Sequence, residues 1–556
     1  MIEGQLRTLI DEAIRGAREA GDLDVAEHPG YDLTKPPRRE HGDWSANVAL
    51  VLQKAAGRKP RELADELIRH LSSRDWLLKV EVAGPGFINF FVSASWLHET
   101  VRRALDEGDR FGAAEPASGQ RVNVEFVSAN PTGPLHVGAA RNAVLGDSIA
   151  RLLAFTGDEV TREYYFNDAG RQMDNFGLSV AARYLEVAGR DVTFPDDGYP
   201  GEYVYDLARQ ILEEDGPPDG DASVDGLRDR MRERAYPIML GWIEATLERF
   251  GVAFDVWAKE REFYESGKVA EVIDRLRASG HVEEAEGAVW LRSGDLGDDR
   301  DRRVLVKSDG SYTYLAGDLA YHAEKASRSD HMIDVWGADH HGQVASLVAG
   351  LHALGVDPSR IEVILYQLVL LTRGGEPQRM GRRAGNFVTL EELIDEVGAD
   401  AARYTLLATA GDHDIRFDID EVSKRTLENP VYYVQYGHAR IASILRNASE
   451  QGIDVESGAD LSMLEHEAED ELMRAIAQWP ETVSGAAATR APSKVARYAE
   501  ELARRFHKFY TDCRVLTDDE PLTLARLALC MATMSTVKAA LGLLGVSAPD
   551  RMEWVQ

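Results

Sequence analysis

The strongest constraint on the fold is a strand–helix–strand pattern that begins at Arg121. RVNVEFVSA is typical of a strand, GAARNAVLGDSIARLLAF of a helix, and VTREYYF, which follows a helix stop at Gly157, of a second strand. Two strands joined through a helix run parallel and need cover on both faces of their sheet. Strand–helix alternation recurs at HMIDVWGADHHGQVASLVAGLHAL and at IEVILYQLVLL. The sequence therefore predicts an α/β domain with a parallel sheet.

Regions of different pattern flank this domain. Residues 1–112 mix amphipathic helices with short strands, and VEVAGPGFINFFV predicts two strands around a Gly-Pro-Gly turn. Residues 113–424 hold the parallel sheet, with an acidic insertion around 190–260. In residues 425–556 the strand signals vanish and the long segments all have helical period. We expect an N-terminal α+β domain, a central α/β domain and a C-terminal all-α helix bundle.

Composition limits the class of protein. The 556 residues are 44% hydrophobic and 28% charged, which is ordinary for a soluble chain with a sizeable core. We find neither an apolar run of the roughly 18 residues that span a membrane nor the N-terminal pattern of a signal peptide. Cys513 and Cys530 cannot build a disulfide framework or a Cys-rich zinc site. We expect a reduced, cytoplasmic protein without membrane association or structural zinc.

The charge of the chain bears on nucleic-acid binding. A net charge of -31 argues against broad, charge-driven binding, because phosphate affinity comes largely from Lys and Arg. Net charge does not exclude a local basic surface on an acidic body. Any nucleic acid would therefore bind at such a surface.

A candidate anion site lies in VEFVSANPTGPLHVGAARN, where strand gives way to helix. Helix N-termini at the carboxyl ends of parallel strands offer free N–H groups and favour anions. His136 can donate to a phosphoryl oxygen, and Gly138 leaves the backbone open to a phosphate or a flat ring. The alternative is that His136 only caps the helix and Gly138 only makes the turn.

Charged and aromatic side chains outside this stretch predict a site for a cation. Glu125 lies inside a strand expected to be buried, where a carboxylate needs a partner; the alternative is an exposed edge strand. Tyr314 and Asp318 are four residues apart on a helical turn, and a ring beside a carboxylate can hold a guanidinium. The alternative for this pair is a solvated helix start.

A third stretch, QRMGRRAGNFVTL, concentrates guanidinium groups in a loop. Arg379, Arg382 and Arg383 lie near Gly381 and Gly385. Arginines on a mobile loop can close over a triphosphate and neutralise charge on leaving pyrophosphate. The alternative is an ordinary basic surface loop.

Together these stretches resemble the class I aminoacyl-tRNA synthetases, and among them the arginyl-tRNA synthetase family. HVGA is similar to the His-x-Gly-His signature, and RMGRR to the loop of Lys-Met-Ser-Lys type. The arginyl family is favoured by VEFVSANPTGPLHVG, REYYFNDAGRQ, SYTYLAGDLAYH and WGADHHGQ. The likeness extends to YDLTKPPRREHGDWSANVAL and VEVAGPGFINF near the N-terminus and to NPVYYVQYGHARI and LLGVSAPDRM near the C-terminus. It therefore spans nearly the whole chain.

The resemblance implies a Rossmann-like catalytic domain and a two-step reaction. Arginine and ATP, with Mg2+ on the phosphates, would form arginyl-adenylate and pyrophosphate. The arginyl group would then pass to the 3'-terminal adenosine of its tRNA, and activation would need the tRNA bound. The N-terminal domain resembles one that contacts the tRNA elbow, and the bundle resembles an anticodon-binding domain. We expect a monomer.

The resemblance also implies roles for individual residues. Residues matched to the arginine site are Glu125, Asn130, Tyr314, Asp318 and Gln343. Those matched to the ATP site are His136, Gly138, Asn142, Met380 and Gly381, and those expected to assist catalysis are His136, Gly138, Arg379, Arg382 and Arg383. The candidates for tRNA contact are Arg38, Arg39, Tyr432, Tyr436 and Met552. Further basic residues expected on the RNA-facing side are Lys35, Arg504, Arg505 and Lys508. The alternative for the two tyrosines is the core of the bundle.

The sequence departs from the family signatures at two positions. Ala139 stands where the first signature has its second histidine, and Gly381 where the loop has serine. Losing one preorganised donor costs on the order of 3 kcal/mol unless backbone, water or Asn142 replaces it. A non-catalytic tRNA-binding paralogue is therefore one rival interpretation. Another class I synthetase, of cysteinyl or methionyl type, is a second.

Overall fold

A computed structural model describes residues 2–25, 30–36, 38–116, 119–378, 388–454 and 458–552. The N-terminal domain consists of α1 (Ile2–Ala20), β1 (Leu33–Thr34), β2 (Trp44–Ala46), α2 (Val48–Ala56), α3 (Pro60–Arg69), β3 (Leu77–Ala83) and β4 (Phe87–Val92). Its strands form an antiparallel sheet of order β1-β2-β4-β3. The predicted strand pair around the Gly-Pro-Gly turn is β3 and β4, and the α+β class is confirmed.

The next helix, α4 (Ala94–Glu107), packs mainly on two helices of the C-terminal region, and its Trp96 also contacts the core of this domain. Its buried residues Leu97, Val101 and Ala104, at helical spacing, belong to the large core shared by the central and C-terminal regions. The separate core of the N-terminal domain ends at Val92. By packing, the N-terminal domain therefore ends about 20 residues before the expected boundary at 112.

The central region alternates strands and helices. Its first part contains β5 (Arg121–Glu125), α5 (Val137–Phe155), β6 (Glu159–Phe166), α6 (Arg171–Val187), α7 (Glu202–Asp215), α8 (Val224–Arg249), β7 (Val256–Lys259), α9 (Glu260–Glu265), α10 (Lys268–Ala278), β8 (Val282–Ala285), β9 (Ala288–Leu291), β10 (Arg303–Val306), α11 (Tyr314–Arg328), β11 (His331–Gly337), α12 (His341–Ala353) and β12 (Ile361–Tyr366). The strands β8, β9 and β10 form a small antiparallel sheet.

The five strands β12-β11-β5-β6-β7 pair in parallel in that order, so the predicted parallel sheet is confirmed. When these five strands are numbered along the chain and read from β7, their order is 3-2-1-4-5, the arrangement of a Rossmann-like sheet. β5 is the central strand, which rules out the edge-strand explanation for Glu125. The strand order reverses between β5 and β11, where ligands of such sheets bind.

The predicted insertion is helical. α7 and α8 pack against α6, and Val204, Leu207 and Met231 are buried there in the large core. β7 pairs with β6 from Glu163↔Val256 to Phe166↔Lys259, so the main sheet resumes before residue 260.

The remainder of the chain completes the central region and forms the bundle. The central elements are β13 (Val369–Arg373), β14 (Glu376–Pro377), α13 (Leu390–Val397), α14 (Ala399–Ala408), β15 (Ile415–Asp418) and α15 (Ile419–Val422). The bundle consists of α16 (Pro430–Glu450), α17 (Glu467–Ala477), α18 (Trp479–Ala488), α19 (Ser493–Asp512) and α20 (Glu520–Leu543), as predicted for an all-α domain. In the described part of the chain, α20 is the one helix long and apolar enough to cross a membrane, but 67% of its most apolar window is buried in the protein. Such burial is typical of a core helix of a soluble protein.

Candidate active site

The main cavity, of about 600 Å³, lies at the carboxyl ends of β5 and β11, where the strand order reverses. It joins residues far apart in the sequence. Of the residues predicted for the arginine and ATP sites, those lining it are Glu125, Asn130, His136, Gly138, Asn142, Asp318 and Gln343.

The floor of the cavity contains a strained turn. Val127 and Ser128 have φ values of 65° and 41°, in the left-handed region that β-branched residues avoid. The Asn142 Oδ1 atom accepts a hydrogen bond from the Val127 N–H at 2.7 Å, and its Nδ2 donates to the Val335 carbonyl at 2.9 Å. Asn142 therefore connects the ends of β5 and β11. The sequence predicted only an ATP contact for this residue and not this positioning role.

His136 lies at the N-cap of α5 with an extended backbone, and its side chain makes no capping hydrogen bond within the described structure. The capping explanation for this histidine therefore does not hold. A Cβ atom on Gly138 would lie 2.5 Å from His136 Cε1 and 2.7 Å from its Nδ1. Gly138 thus makes room for the imidazole at the helix N-terminus, where anions are favoured.

We predict that Gly138→Ala displaces the His136 ring and lowers kcat/KM for ATP by about tenfold or more, because a misplaced donor loses stabilisation of developing phosphate charge. Pyrophosphate exchange at varied ATP measures the effect. Gly241→Ala is the matched control, since Gly241 lies on α8 with open space around its Cβ position. Equal ATP kinetics in the two variants would contradict this role for Gly138.

The predicted loop residues Arg379, Met380, Gly381, Arg382 and Arg383 lie outside the described residues. The chain that follows the loop is held against the first signature stretch. The Val137 N–H donates to the Val388 carbonyl at 3.2 Å, and the Leu390 N–H donates to the Leu135 carbonyl at 2.8 Å. Val388 and Leu390 therefore lie beside the residues that flank His136.

Ala139, which replaces the second histidine of the first signature, faces the hydrophobic core. Its side chain is buried in the large hydrophobic cluster, and its N–H donates to the His136 carbonyl at 2.8 Å. Ala139 is therefore packed beneath the helix start.

A buried charge cluster lies under the cavity. Glu125 and Asp334 are direct partners across β5 and β11, and such facing carboxylates repel unless a cation separates them. The fully buried Lys325 supplies it, with Nζ 2.7 Å from Glu125 Oε2 and 2.5 Å from Asp334 Oδ1. The ammonium lies between the carboxylates of Glu125 and Asp334, and His322 is the third member of this buried cluster. Glu125 is thus neutralised by the protein itself, which the sequence analysis did not foresee.

Asp318 is one of the carboxylates that line the cavity. Burial raises its pKa to about 6; the His322 cation opposes this rise, and Glu125 and Asp334 add to it. Glu260, the first residue of α9, is buried close to Gly317. Burial, Asp318 and Asp168 raise the pKa of Glu260 to about 7.

An unpaired hydroxyl accompanies these two acids. The Tyr165 hydroxyl is buried without a hydrogen-bond partner in the described structure, and Tyr165 lines the cavity. Burial raises the pKa of Tyr165, and Glu260 and Asp318 add to the rise. Two acids whose pKa values lie near neutral pH, beside an unpaired hydroxyl, form a site suited to a cationic, hydrogen-bonding ligand.

The structure separates the predicted pair Tyr314 and Asp318. Both lie on α11, but Tyr314 is 65% exposed at the helix start and is not among the residues that line the cavity, whereas Asp318 is. Asn130 donates to Gln172 at 2.6 Å on the cavity wall, and Gln343 lies on α12. The sequence analysis missed Glu260 and Tyr165, because their nearness to Asp318 depends on how α9 and β6 pack against α11.

The predicted contacts of the bundle come together at its surface. Met552 lines one cavity of about 540 Å³ with Tyr436 and a neighbouring one of about 440 Å³ with Tyr432. Both tyrosines are half-buried, so neither is a residue of the bundle core. The Arg440 guanidinium lies 4.6 Å from the Tyr436 ring and 4.5 Å from the Tyr510 ring. Further arginines lining the larger cavity are Arg446 and Arg551, which make this a local basic surface.

The other predicted basic residues have acidic partners. Lys35 pairs with Glu481 at 3.2 Å, and Arg39 pairs with Asp470, so both join the N-terminal domain to the bundle. Arg38 is exposed and lies 3.4 Å from Glu40. The basic residues of α19, which pair with Glu471 or Glu501, are Arg504, Arg505 and Lys508. Lys35 and Arg39 are therefore engaged between the N-terminal domain and the bundle, whereas Arg440, Arg446 and Arg551 line a surface cavity.

The fold and the cavity agree with comparisons to known proteins. Residues 100–421 match the model for the tRNA synthetases class I (R) catalytic domain, which defines the class as a class I synthetase. Residues 4–92 match the arginyl tRNA synthetase N-terminal domain, and 434–552 the DALR anticodon-binding domain.

Relatives and a solved structure extend the match over the whole chain. An arginine–tRNA ligase of Heliobacterium modesticaldum is 44% identical over 558 residues, covering 99% of each chain. One of Moorella thermoacetica is 46% identical over 552 residues, covering 99% of this chain and 98% of the relative. The Thermus thermophilus arginyl-tRNA synthetase structure, 24% identical with a TM-score of 0.78, covers 98% of this chain and 100% of its own and shares the fold. The chain belongs to the arginyl-tRNA synthetase family.

Proposed function

We propose that this chain is an arginine–tRNA ligase that forms arginyl-adenylate and pyrophosphate from arginine and ATP and transfers the arginyl group to the terminal adenosine of its tRNA. The observation that carries this proposal is that Asp318 lines the same cavity as the anion-favouring start of α5, with the buried Glu260 close behind it at Gly317. A guanidinium would satisfy the two acids and the Tyr165 hydroxyl together.

The chemistry follows from placement. With its guanidinium near Asp318, arginine directs its α-carboxylate toward the mouth of the cavity, where His136 and the α5 N-terminus favour phosphate. The carboxylate oxygen attacks the α-phosphorus, the bond to the bridging oxygen breaks, and pyrophosphate leaves with the electron pair. Positioning and electrostatic stabilisation carry such a step, with Mg2+ arriving on the nucleotide. Arg379, Arg382 and Arg383 are proposed to neutralise the leaving group.

The test of this function is arginine-dependent exchange of labelled pyrophosphate into ATP, measured with and without tRNA. The ligase requires exchange with arginine and tRNA present, followed by arginylation of the tRNA. A tRNA-binding paralogue without activity would show no exchange in either condition, and a synthetase of another specificity would respond to another amino acid. We further propose that the protein acts as a cytoplasmic monomer.

We predict that arginine binding releases protons. Ionised Asp318 and Glu260 bind the cation, and their pKa values of about 6 and 7 in the free protein fall when it binds. The KM for arginine should therefore be nearly constant above about pH 8, rise about tenfold between pH 7 and 6, and approach a hundredfold rise per pH unit below about 6, where both acids must lose a proton. Exchange kinetics from pH 5.5 to 8 measure this. A KM independent of pH in that interval would contradict it.

We propose that the two bundle cavities bind unstacked tRNA bases. Their half-buried aromatic rings and guanidinium planes are flat surfaces on which such bases stack. Arg440→Gln should weaken tRNA binding and lower the slope of log affinity against log salt by about one. The matched control is Arg277→Gln on α10, which should keep the slope of the parent. An unchanged slope for Arg440→Gln would place the RNA elsewhere.

A further inference from the structure

The charge cluster beneath the cavity contains a histidine that the proposed reaction does not use. His322 lies one turn after Asp318 on α11, and its side chain is buried. Its Nδ1 lies 2.8 Å from the Asp318 carbonyl oxygen, and its Nε2 lies 3.0 Å from Asp334 Oδ2. A carbonyl and an ionised carboxylate only accept hydrogen bonds, so both ring nitrogens carry a proton and the ring is an imidazolium.

The charges around this ring balance only when it is protonated. Its neighbours are Lys325 and Tyr321 on α11, Asp334 on β11, and Glu125 on β5 at 3.9 Å. The two carboxylates are then opposed by two cations. A neutral His322 would leave one negative charge directly beneath Asp318. That charge would add to the repulsion from Glu260.

The direction of ionisation agrees with this geometry. Burial and Lys325 disfavour the charged ring, but Asp334 and Glu125 outweigh them and raise the pKa of His322. The groups that face Asp318 from the surrounding elements are His322, Glu125, Asp334, His340, Glu260, Tyr165 and Tyr264. Among them His322 contributes the larger stabilisation of the ionised carboxylate, and His340 a smaller one.

We propose that His322 is a positioning residue of the arginine site, a lasting imidazolium that fixes the first turns of α11 and keeps the Asp318 carboxylate charged for the substrate guanidinium. The inference rests on the proposed function, because it assigns how the acidic site is kept ready for a cation. His322 acts through Asp318 and needs no contact with the guanidinium. The spacing of Asp318, His322 and Lys325, at i, i+4 and i+7, places all three on one face of α11.

The test is the pH profile of the arginine KM in His322→Asn, which removes the charge. The midpoint should move upward by about one pH unit, so that the KM at pH 6 rises about fivefold while the value above pH 8 stays near that of the parent. His352→Asn, an exposed histidine on α12, should keep the parental midpoint. An unmoved midpoint, or a KM raised equally at every pH, would show a merely structural role. Absence of arginine-dependent exchange in the parent would instead refute the proposed function.

A second measurement needs no variant. Of the 15 histidines, one should keep both ring nitrogens protonated at pH 8 in the unaltered protein. Long-range 1H–15N spectra of the histidine-labelled protein distinguish an imidazolium from either neutral tautomer. A spectrum at pH 8 that contains neutral rings alone would overturn the assignment.

Discussion

Asp318→Asn is expected to raise the KM for arginine about 10²–10³-fold while the protein remains folded. Removing one partner of a buried, charge-assisted pair costs about 2–5 kcal/mol, and every 1.4 kcal/mol is tenfold in affinity. The amide has the shape of the carboxylate but cannot supply its charge. Because arginine binding is weakened before the chemical step, the loss should fall mainly on KM and less on kcat.

The stability of the same variant provides an internal check. The pKa of Asp318 in the folded protein, about 6, is above the usual value for an aspartate. Ionisation of this side chain therefore lowers the free energy of unfolding as the pH rises from about 4 through 6. Asp318→Asn removes this cost and should be at least as stable as the parent at pH 7.5. Asp274→Asn on the surface of α10 is the matched control and should change neither property. An Asp318→Asn protein with parental KM would exclude Asp318 from the site.

Local pattern predicted much of the fold. The parallel sheet followed from β5, α5 and β6, since a strand–helix–strand sequence leaves few topologies. The helix bundle was predicted from the helical period of residues 425–556 alone. The boundary after the N-terminal domain could not be predicted in this way. The apolar spacing of α4 shows that one face is buried but does not specify which core that face packs against.

The site was only partly predictable, for a similar reason. Residues carried by one stretch or one signature, such as His136 and Asp318, could be found from the sequence. Glu125 was correctly expected to need a cation, yet the cation is Lys325, 200 residues away in the chain. Partnerships of that kind depend on which helix lies over which strand, and a single sequence does not specify this for α11.

A buried hub supports the helix on which His136 lies. The Arg403 side chain on α14 is fully buried; it pairs with Asp147 of α5 and donates to the carbonyls of Leu544 and Phe250, each at 2.9 Å. Those carbonyls follow the ends of α20 and α8. A Cβ on Gly545 would overlap the guanidinium, and Gly545 has a φ of 65°. The hub therefore joins the bundle, the insertion and the first signature helix.

Arg403→Met should consequently destabilise the protein by about 3–5 kcal/mol, because it removes the buried partner of Asp147, which keeps the partly exposed Arg151 at 2.7 Å, and leaves two carbonyls buried without a donor. Thermal and urea unfolding measure the loss, with Arg497→Met on the exposed face of α19 as the control that should stay within about 0.5 kcal/mol of the parent. The double variant Asp147→Asn/Arg403→Met should lose less than the two single losses added, since the two side chains are direct partners and their effects on stability are coupled. If Arg403→Met unfolds like Arg497→Met, the hub does not hold α5, and the packing of apolar side chains around that helix is sufficient to place His136.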